Sequence, residues 1–146
     1  MINILNGIDS TSSALNAERI RMEVVSQNIA NVNSTRGPDG KLKPYQRQQV
    51  VFETALKDQL KGAGQPGSEA STVRVARIES ARREPRMVYM PGHADADANG
   101  MVAMPNINIH EEMVDLMSAS RAYEANLSVV KTARSMALQT LSIGKR

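Results

Sequence analysis

The two ends of this 146-residue chain read as long amphipathic helices, and everything between them reads as loops and short strands. At the amino end, apolar residues recur at sevens through Ile8, Leu15, Met22 and Ile29, with a second row through Ile4, Val25 and Val32. Thr11 and Glu18 interrupt that second row, so the stripe is incomplete. At the carboxyl end one row runs through Ile109, Leu116, Tyr123, Val130 and Ala137. Another runs through Met113, Leu127 and Leu141, broken by Ser120 and Arg134. Neither helix has the unbroken seam of a self-sufficient coiled coil, so each is expected to bury its stripe against something else. The layout is that of a protein that builds by pairing its termini.

Start and stop signals bound these helices. Asn108 followed three residues later by Glu111 has the form of a capping box, with Glu111 and Glu112 at the positive end of the dipole. Gly144 offers a carboxyl cap. The spacing predicts a helix of about 35 residues, roughly 50 Å long at 1.5 Å per residue. The first helix is expected to stop near Ser34, before Gly37-Pro38-Asp39-Gly40.

Between the helices, strands are expected within Tyr45–Leu56, over Thr72–Glu79 and over Met87–Met90, the last stopped by Pro91-Gly92. Residues 61–71 read as a flexible Gly/Ser/Pro linker. Asp97-Ala98-Asn99-Gly100 is a turn signal leading into an extended piece at Met101–Met104. The expected fold is mainly α with a small β element: an amino-terminal helix within 1–36 and a carboxyl-terminal helix within 107–146 pair as a coiled-coil-like stem. The loop and β region, 37–106, is carried on that stem.

With no Trp, one Phe and three Tyr, aromatic burial cannot dominate the core. Nine Met supply adaptable apolar surface, and Ala119, Ala122, Ala125, Ala133 and Ala137 let another helix approach closely. From Arg36 to Arg86, 11 Lys and Arg stand against 6 Asp and Glu, so the middle of the chain is basic. That suits nucleic acid, an anionic surface or an acidic protein neighbour. Only Tyr45, Phe52 and Tyr89 are available to stack on bases in that region, and no nucleic-acid-binding motif is present. No apolar run is long enough to span a membrane, and Met1–Ser10 lacks the features of a secretory leader.

Three places invite a catalytic or metal reading. Asp95, Asp97, Asn99 and Gly100 open like a calcium loop, yet Asn106 stands where the closing Glu is needed. His110-Glu111 begins like a zinc-protease helix, but Val114 takes the place of the second His. His93 and His110 lie in separate segments, and Ser118 and Ser120 have no nearby base. No catalytic, cofactor or metal constellation is assigned.

The helix amides are more informative. Asn28, Asn31 and Asn126 lie off the apolar rows, where their side chains can fix register against neighbouring subunits, while Asn33 reads as a helix-end cap. Ser26-Gln27-Asn28-Ile29-Ala30-Asn31-Val32-Asn33-Ser34 resembles the amino-terminal signature of bacterial flagellar rod and hook proteins. Glu112-Met113-Val114 through Arg121-Ala122-Tyr123-Glu124-Ala125-Asn126 is similar to their carboxyl-terminal signature, as is the ending Met136–Gly144. The middle segments Thr35–Gly40, Tyr45, Gln49–Phe52 and Ala96–Asn108 resemble those of a proximal-rod member of that family.

The resemblance implies a non-enzymatic subunit of the flagellar basal body that polymerises through its terminal helices into the tubular rod. It is made in the cytoplasm and exported without a cleaved leader by the flagellar type III apparatus. Its implied partners are copies of itself, other rod proteins and a basal-body ring or peptidoglycan. On that reading Asn28, Asn31, Tyr123, Glu124 and Asn126 serve inter-subunit registry, and Ile8, Leu15, Met22, Ile29, Leu116, Leu127 and Val130 serve helix packing. Another axial subunit, or a soluble helical adaptor that uses the basic middle to bind nucleic acid, remains the competing reading.

Overall fold

The computed structural model describes residues 2–56 and 71–144. Two long helices, α1 (Ile2–Ala30) and α2 (Ile109–Ile143), bracket two antiparallel hairpins. The first pairs β1 (Gln48–Leu56) with β2 (Ser71–Ser80), and the second pairs β3 (Arg86–Tyr89) with β4 (Met101–Met104). The mainly helical class with a small β part is therefore the observed one. The linker expected at 61–71 lies outside the described residues apart from Ser71, which opens β2.

α1 ends at Ala30, short of the expected Ser34, and the Asn31 side chain ties its last turn to the residues that follow. Its Nδ2 donates to Gln27 O at 2.9 Å, and its Oδ1 accepts from Ser34 Oγ at 3.0 Å. Val32 N–H closes the last turn onto Ile29 O at 3.3 Å, an i to i−3 bond. The chain then reverses around Gly40, whose φ of +69° suits glycine, and Arg36 bridges Leu42 in antiparallel fashion.

α2 starts as its cap predicts, with Asn108 Oδ1 accepting from His110 N–H at 3.1 Å. The reciprocal half of the box differs. Glu111 Oε1 accepts from the Asn108 side chain at 3.2 Å instead of reaching its backbone N–H. Gly144 stays right-handed at φ −73°, so α2 ends on an ordinary last turn and not on a left-handed cap.

The helices run antiparallel, since residues near the end of α1 meet residues near the start of α2. Their contact combines part of the apolar stripe with small and polar residues. On α1 the buried positions Ala17, Val24 and Asn28 continue the row Ser10, Ala14, Ala17, Arg21, Val24, Asn28, which steps by fours and threes. On α2 the matching row is Glu112, Leu116, Ala119, Tyr123, Asn126, Val130, Ala133, Ala137, with Glu112 and Ala119 fully buried. Ile8, Leu15, Met22 and Ile29 lie on the neighbouring face of α1, half-buried. Asn28 and Asn126, expected beside the packing rows, are on the seam itself.

α1 also packs against β1 and β2. The β1/β2 ladder shifts register between Val51 and Phe52, which pair with Arg77 and Val75, leaving Ala76 as the extra residue of a bulge. In the second hairpin Val88 and Val102 pair across one face, with Val102 buried, while Met87 and Tyr89 face outward and are more than half exposed. Pro105 and Ile107 carry that buried line into α2.

Candidate functional site

The polar centre of the molecule is the joint where α1 ends, β1 begins and α2 starts. Asn28 is wholly buried there and makes all four hydrogen bonds that its amide allows. Its Nδ2 donates to Gln48 O at 2.8 Å and to Glu112 Oε2 at 2.9 Å. Its Oδ1 accepts from Gln48 N–H at 2.9 Å and from the Tyr45 hydroxyl at 3.1 Å. By exchanging both backbone bonds with Gln48, a helix side chain does for the first residue of β1 what a neighbouring strand would do.

Glu112 is equally buried, and its second oxygen accepts from Arg47 Nε at 2.6 Å. Arg47 lies 3.6 Å from Asp115, which accepts from Arg21 at 3.3 Å. One carboxylate inside the protein is thus neutralised by a guanidinium and hydrogen-bonded by an amide, and a more exposed second carboxylate completes the set. Burial, and then the negative charge of Glu112, push the Tyr45 hydroxyl above its ordinary pKa of 10.0.

A second tie joins the turn after α1 to the loop between β3 and β4. The Asp95 carboxylate accepts from Thr35 Oγ1 at 2.7 Å, from Arg36 Nε at 2.9 Å, and from Arg36 Nη2. Hydrogen bonding from Arg36, then from Thr35, holds it below the usual carboxylate range. Asp97 closes the same loop, its Oδ1 accepting from Asn99 N–H and Met101 N–H at 2.8 Å each. Gly100 completes the turn at φ +73°; a Cβ there would lie 3.0 Å from the Tyr89 ring and 3.1 Å from Pro91 Cβ.

Much of the basic middle is neutralised within the chain. Besides Arg36 and Arg47, Arg74 pairs with Glu53, Arg77 with Glu79, and Arg83 with Glu111. Of the concave surfaces, a groove of about 550 Å³ is lined by Asn31, Ser34, Arg36, Lys43 and Tyr45 among others. A cleft of about 310 Å³ between α1 and β1 has Val24, Val25, Val50 and Phe52 beneath Arg21 and Arg47. Neither lining contains a histidine that could activate a nucleophile.

The residues singled out for registry do not form one group. Asn28 is fully engaged inside its own chain, so its register role here is intramolecular. Asn31 is committed to the helix end. Asn126 lies fourteen residues beyond Glu112, about 21 Å along α2. Asn126 and Tyr123 are half-buried without a side-chain hydrogen bond to any described residue, and Glu124 is exposed. Tyr45, Arg47, Gln48, Glu112 and Asp115 complete the joint without having been picked out for it. Only Glu112 carried a signal, the seven-residue row through Glu112, Ala119, Asn126 and Ala133, in which small and polar residues take the place of large apolar ones; the other four depend on where the turns deliver the chain.

The elements that build this joint are the ones shared with known proteins. The family model described as flagella basal body rod protein matches residues 8–38, and that described as flagellar basal body rod FlgEFG protein C-terminal matches residues 98–143. The flagellar basal-body rod protein FlgC of Yersinia enterocolitica is 43% identical over 99% of this chain and 100% of its own length. This chain belongs to the FlgC family of flagellar basal-body rod proteins. The FlgC of Borreliella burgdorferi is 40% identical over 97% of this chain, and that of Bacillus subtilis 37% over 96%, covering 98% and 97% of those relatives. The rod-protein matches bracket both sides of the joint: Asn28, Thr35 and Arg36 lie in the first segment, Gly100, Glu112 and Asp115 in the second. Among the described residues, no helix is long and apolar enough to cross a membrane.

Proposed function

We propose that this chain is a structural, non-enzymatic subunit of the proximal rod of the flagellar basal body, and that it polymerises by packing its helical stem against neighbouring stems. The observation that carries this is the unfinished outer surface of α2. Val129, Met136, Leu138, Leu141 and Ile143 are all more than half exposed, far beyond what a stem complete in itself would leave in water. Neighbours that cover these residues supply the missing burial, and heterologous contacts repeated around an axis give an open tube that transmits torque. Glu124, exposed on α2, then helps to set the stagger between stems, while the hairpins face a ring component or peptidoglycan. Synthesis in the cytoplasm and passage through the flagellar type III apparatus would deliver the subunit to its place of assembly in the periplasm.

Amide hydrogen exchange on the free subunit and on isolated basal bodies tests this reading. Residues 126–143 are expected to exchange quickly in the free subunit and to be strongly protected in the basal body. Equal protection in both would point to a preformed adaptor domain instead.

A further inference from the structure

The groove behind the joint holds about 550 Å³ between the turn that follows α1 and the place where β1 begins and β2 ends, at the pair Gln48 and Ser80. Its walls are fixed from behind. Tyr45 N–H donates to Ser34 O at 3.0 Å and Lys43 N–H to Thr35 O at 3.1 Å, while Asn28 holds the backbone of Gln48. A site built on such a frame loses little freedom when it is filled.

Part of the lining is committed within the chain: the Tyr45 hydroxyl to Asn28, Ser34 to Asn31, and Arg36 to Asp95. The rest is not. Among the described residues, Lys43 has no carboxylate partner, and the side chains of Gln46, Gln48 and Ser80 have no hydrogen bond. No Asp or Glu lines the groove. The cleft between α1 and β1 differs on this point, because Asp115 lies in its lining and meets both Arg21 and Arg47.

These free groups define a ligand. Lys43 calls for an anion. Gln46 and Gln48 stand two residues apart on the approach to β1, roughly 7 Å of extended chain, which is also the repeat of the N–H and C=O groups along one edge of an extended peptide. A carboxamide donates and accepts, so each can hold a peptide unit. Pro38 and Pro44 add apolar wall with no N–H of their own to satisfy.

We propose that this groove is a docking site for an extended acidic segment of a different protein, with a carboxylate on Lys43 and the segment's backbone on the carboxamides of Gln46 and Gln48. A second copy of the chain is a poor occupant. Its described strands are paired in hairpins, and the acids they carry, Glu53 and Glu79, are bound to Arg74 and Arg77. The site goes beyond the rod role, since no residue of α2 lines it and the packing of stems leaves it unexplained.

The probe is a fluorescein-labelled octapeptide of alternating glutamate and valine, titrated against the full chain and followed by anisotropy and by the side-chain amide resonances of isotope-labelled protein. Saturable binding is expected, with the amides of Gln46 and Gln48 shifting. Lys43→Glu is expected to weaken binding about five- to tenfold, and Lys41→Glu, in the same turn but outside the lining, less than about twofold. Both lysines are exposed, so circular dichroism should not change. The peptide with glutamine in place of glutamate is expected to bind at least about fivefold more weakly. Absence of binding, equal losses from Lys41→Glu and Lys43→Glu, shifts confined to other residues, tighter binding of a heparin fragment than of the peptide, or self-association that the peptide displaces would each overturn the proposal.

Discussion

The stem is finished at one end and left open at the other. Around the joint, Val24, Val25, Asn28, Thr35, Val102, Met104, Ile107 and Glu112 are buried, and the amide and carboxylate at its centre have all their partners. Past Ala119, α2 has no buried residue among those described, and Val129, Met136, Leu138, Leu141 and Ile143 are more than half exposed. Both halves belong to the same pair of helices, so the contrast is not one of helix propensity. It is set by what lies beyond the seam: at the joint the turn and hairpins close over it, whereas the far half has only the two helices. The finished end specifies how the chain folds, and the open end specifies what it can join.

The contrast is most directly broken at the buried pair. Glu112→Ala leaves Arg47 without its carboxylate inside the protein and is expected to remove about 3–5 kcal/mol of stability, read from urea unfolding. Asn28→Ala strips both backbone bonds from Gln48 and is expected to remove about 3 kcal/mol, with β1 amides losing protection first. If either change were tolerated within about 0.5 kcal/mol, the joint would not be the organising centre. Gly100→Ala combines a left-handed backbone with a close approach to Tyr89 and Pro91, and should cost about 2 kcal/mol in the same assay.

Titration sharpens the comparison. The Tyr45 hydroxyl is raised in the folded protein, so its contribution is full below the ordinary tyrosine range and is lost as pH rises through the folded value. Tyr45→Phe should cost about 1 kcal/mol near neutrality and flatten that alkaline fall. Asp95 has the opposite sign: its carboxyl is held low, so its contribution is present above the ordinary carboxylate range and lost as pH falls below it. Asp95→Asn should flatten the acid limb of the stability profile. The smallest effect is expected at the open end, where Leu138→Ser should change monomer stability by less than about 0.5 kcal/mol while impairing motility.

The helices were legible because their signals are local: Asn108 caps α2, and apolar periodicity runs through both ends. The four strands were also foreseen, with Met101–Met104 matched at both boundaries, since Pro91-Gly92 and the Asp97–Gly100 turn punctuate them. Sequence periodicity described the contact face incompletely: Leu116, Tyr123, Val130 and Ala137 of the α2 row lie on the seam, but its small and polar members were not marked. It follows large apolar residues, whereas Ala14, Ala17, Ala119 and Ala133 make the seam by being small, and Asn28 and Glu112 make it by hydrogen bonding. The row through Ile8, Leu15 and Met22 is half-buried, whereas Ala17, Val24 and Asn28 are the buried positions of α1 beside Val25. Nor does spacing reveal that Asn28 meets Gln48 and Glu112, because that meeting depends on where two separate turns deliver the chain.

Asn28 and Glu112 are 84 residues apart in sequence. Drawing them together closes a loop whose length-dependent entropy alone opposes folding by about 4 kcal/mol, and nothing local offsets it until α2 is present. A chain delivered amino end first therefore carries its own delay: α1 has no companion for its seam until roughly the last quarter of the polypeptide arrives, so the stem is the final part of the molecule to close.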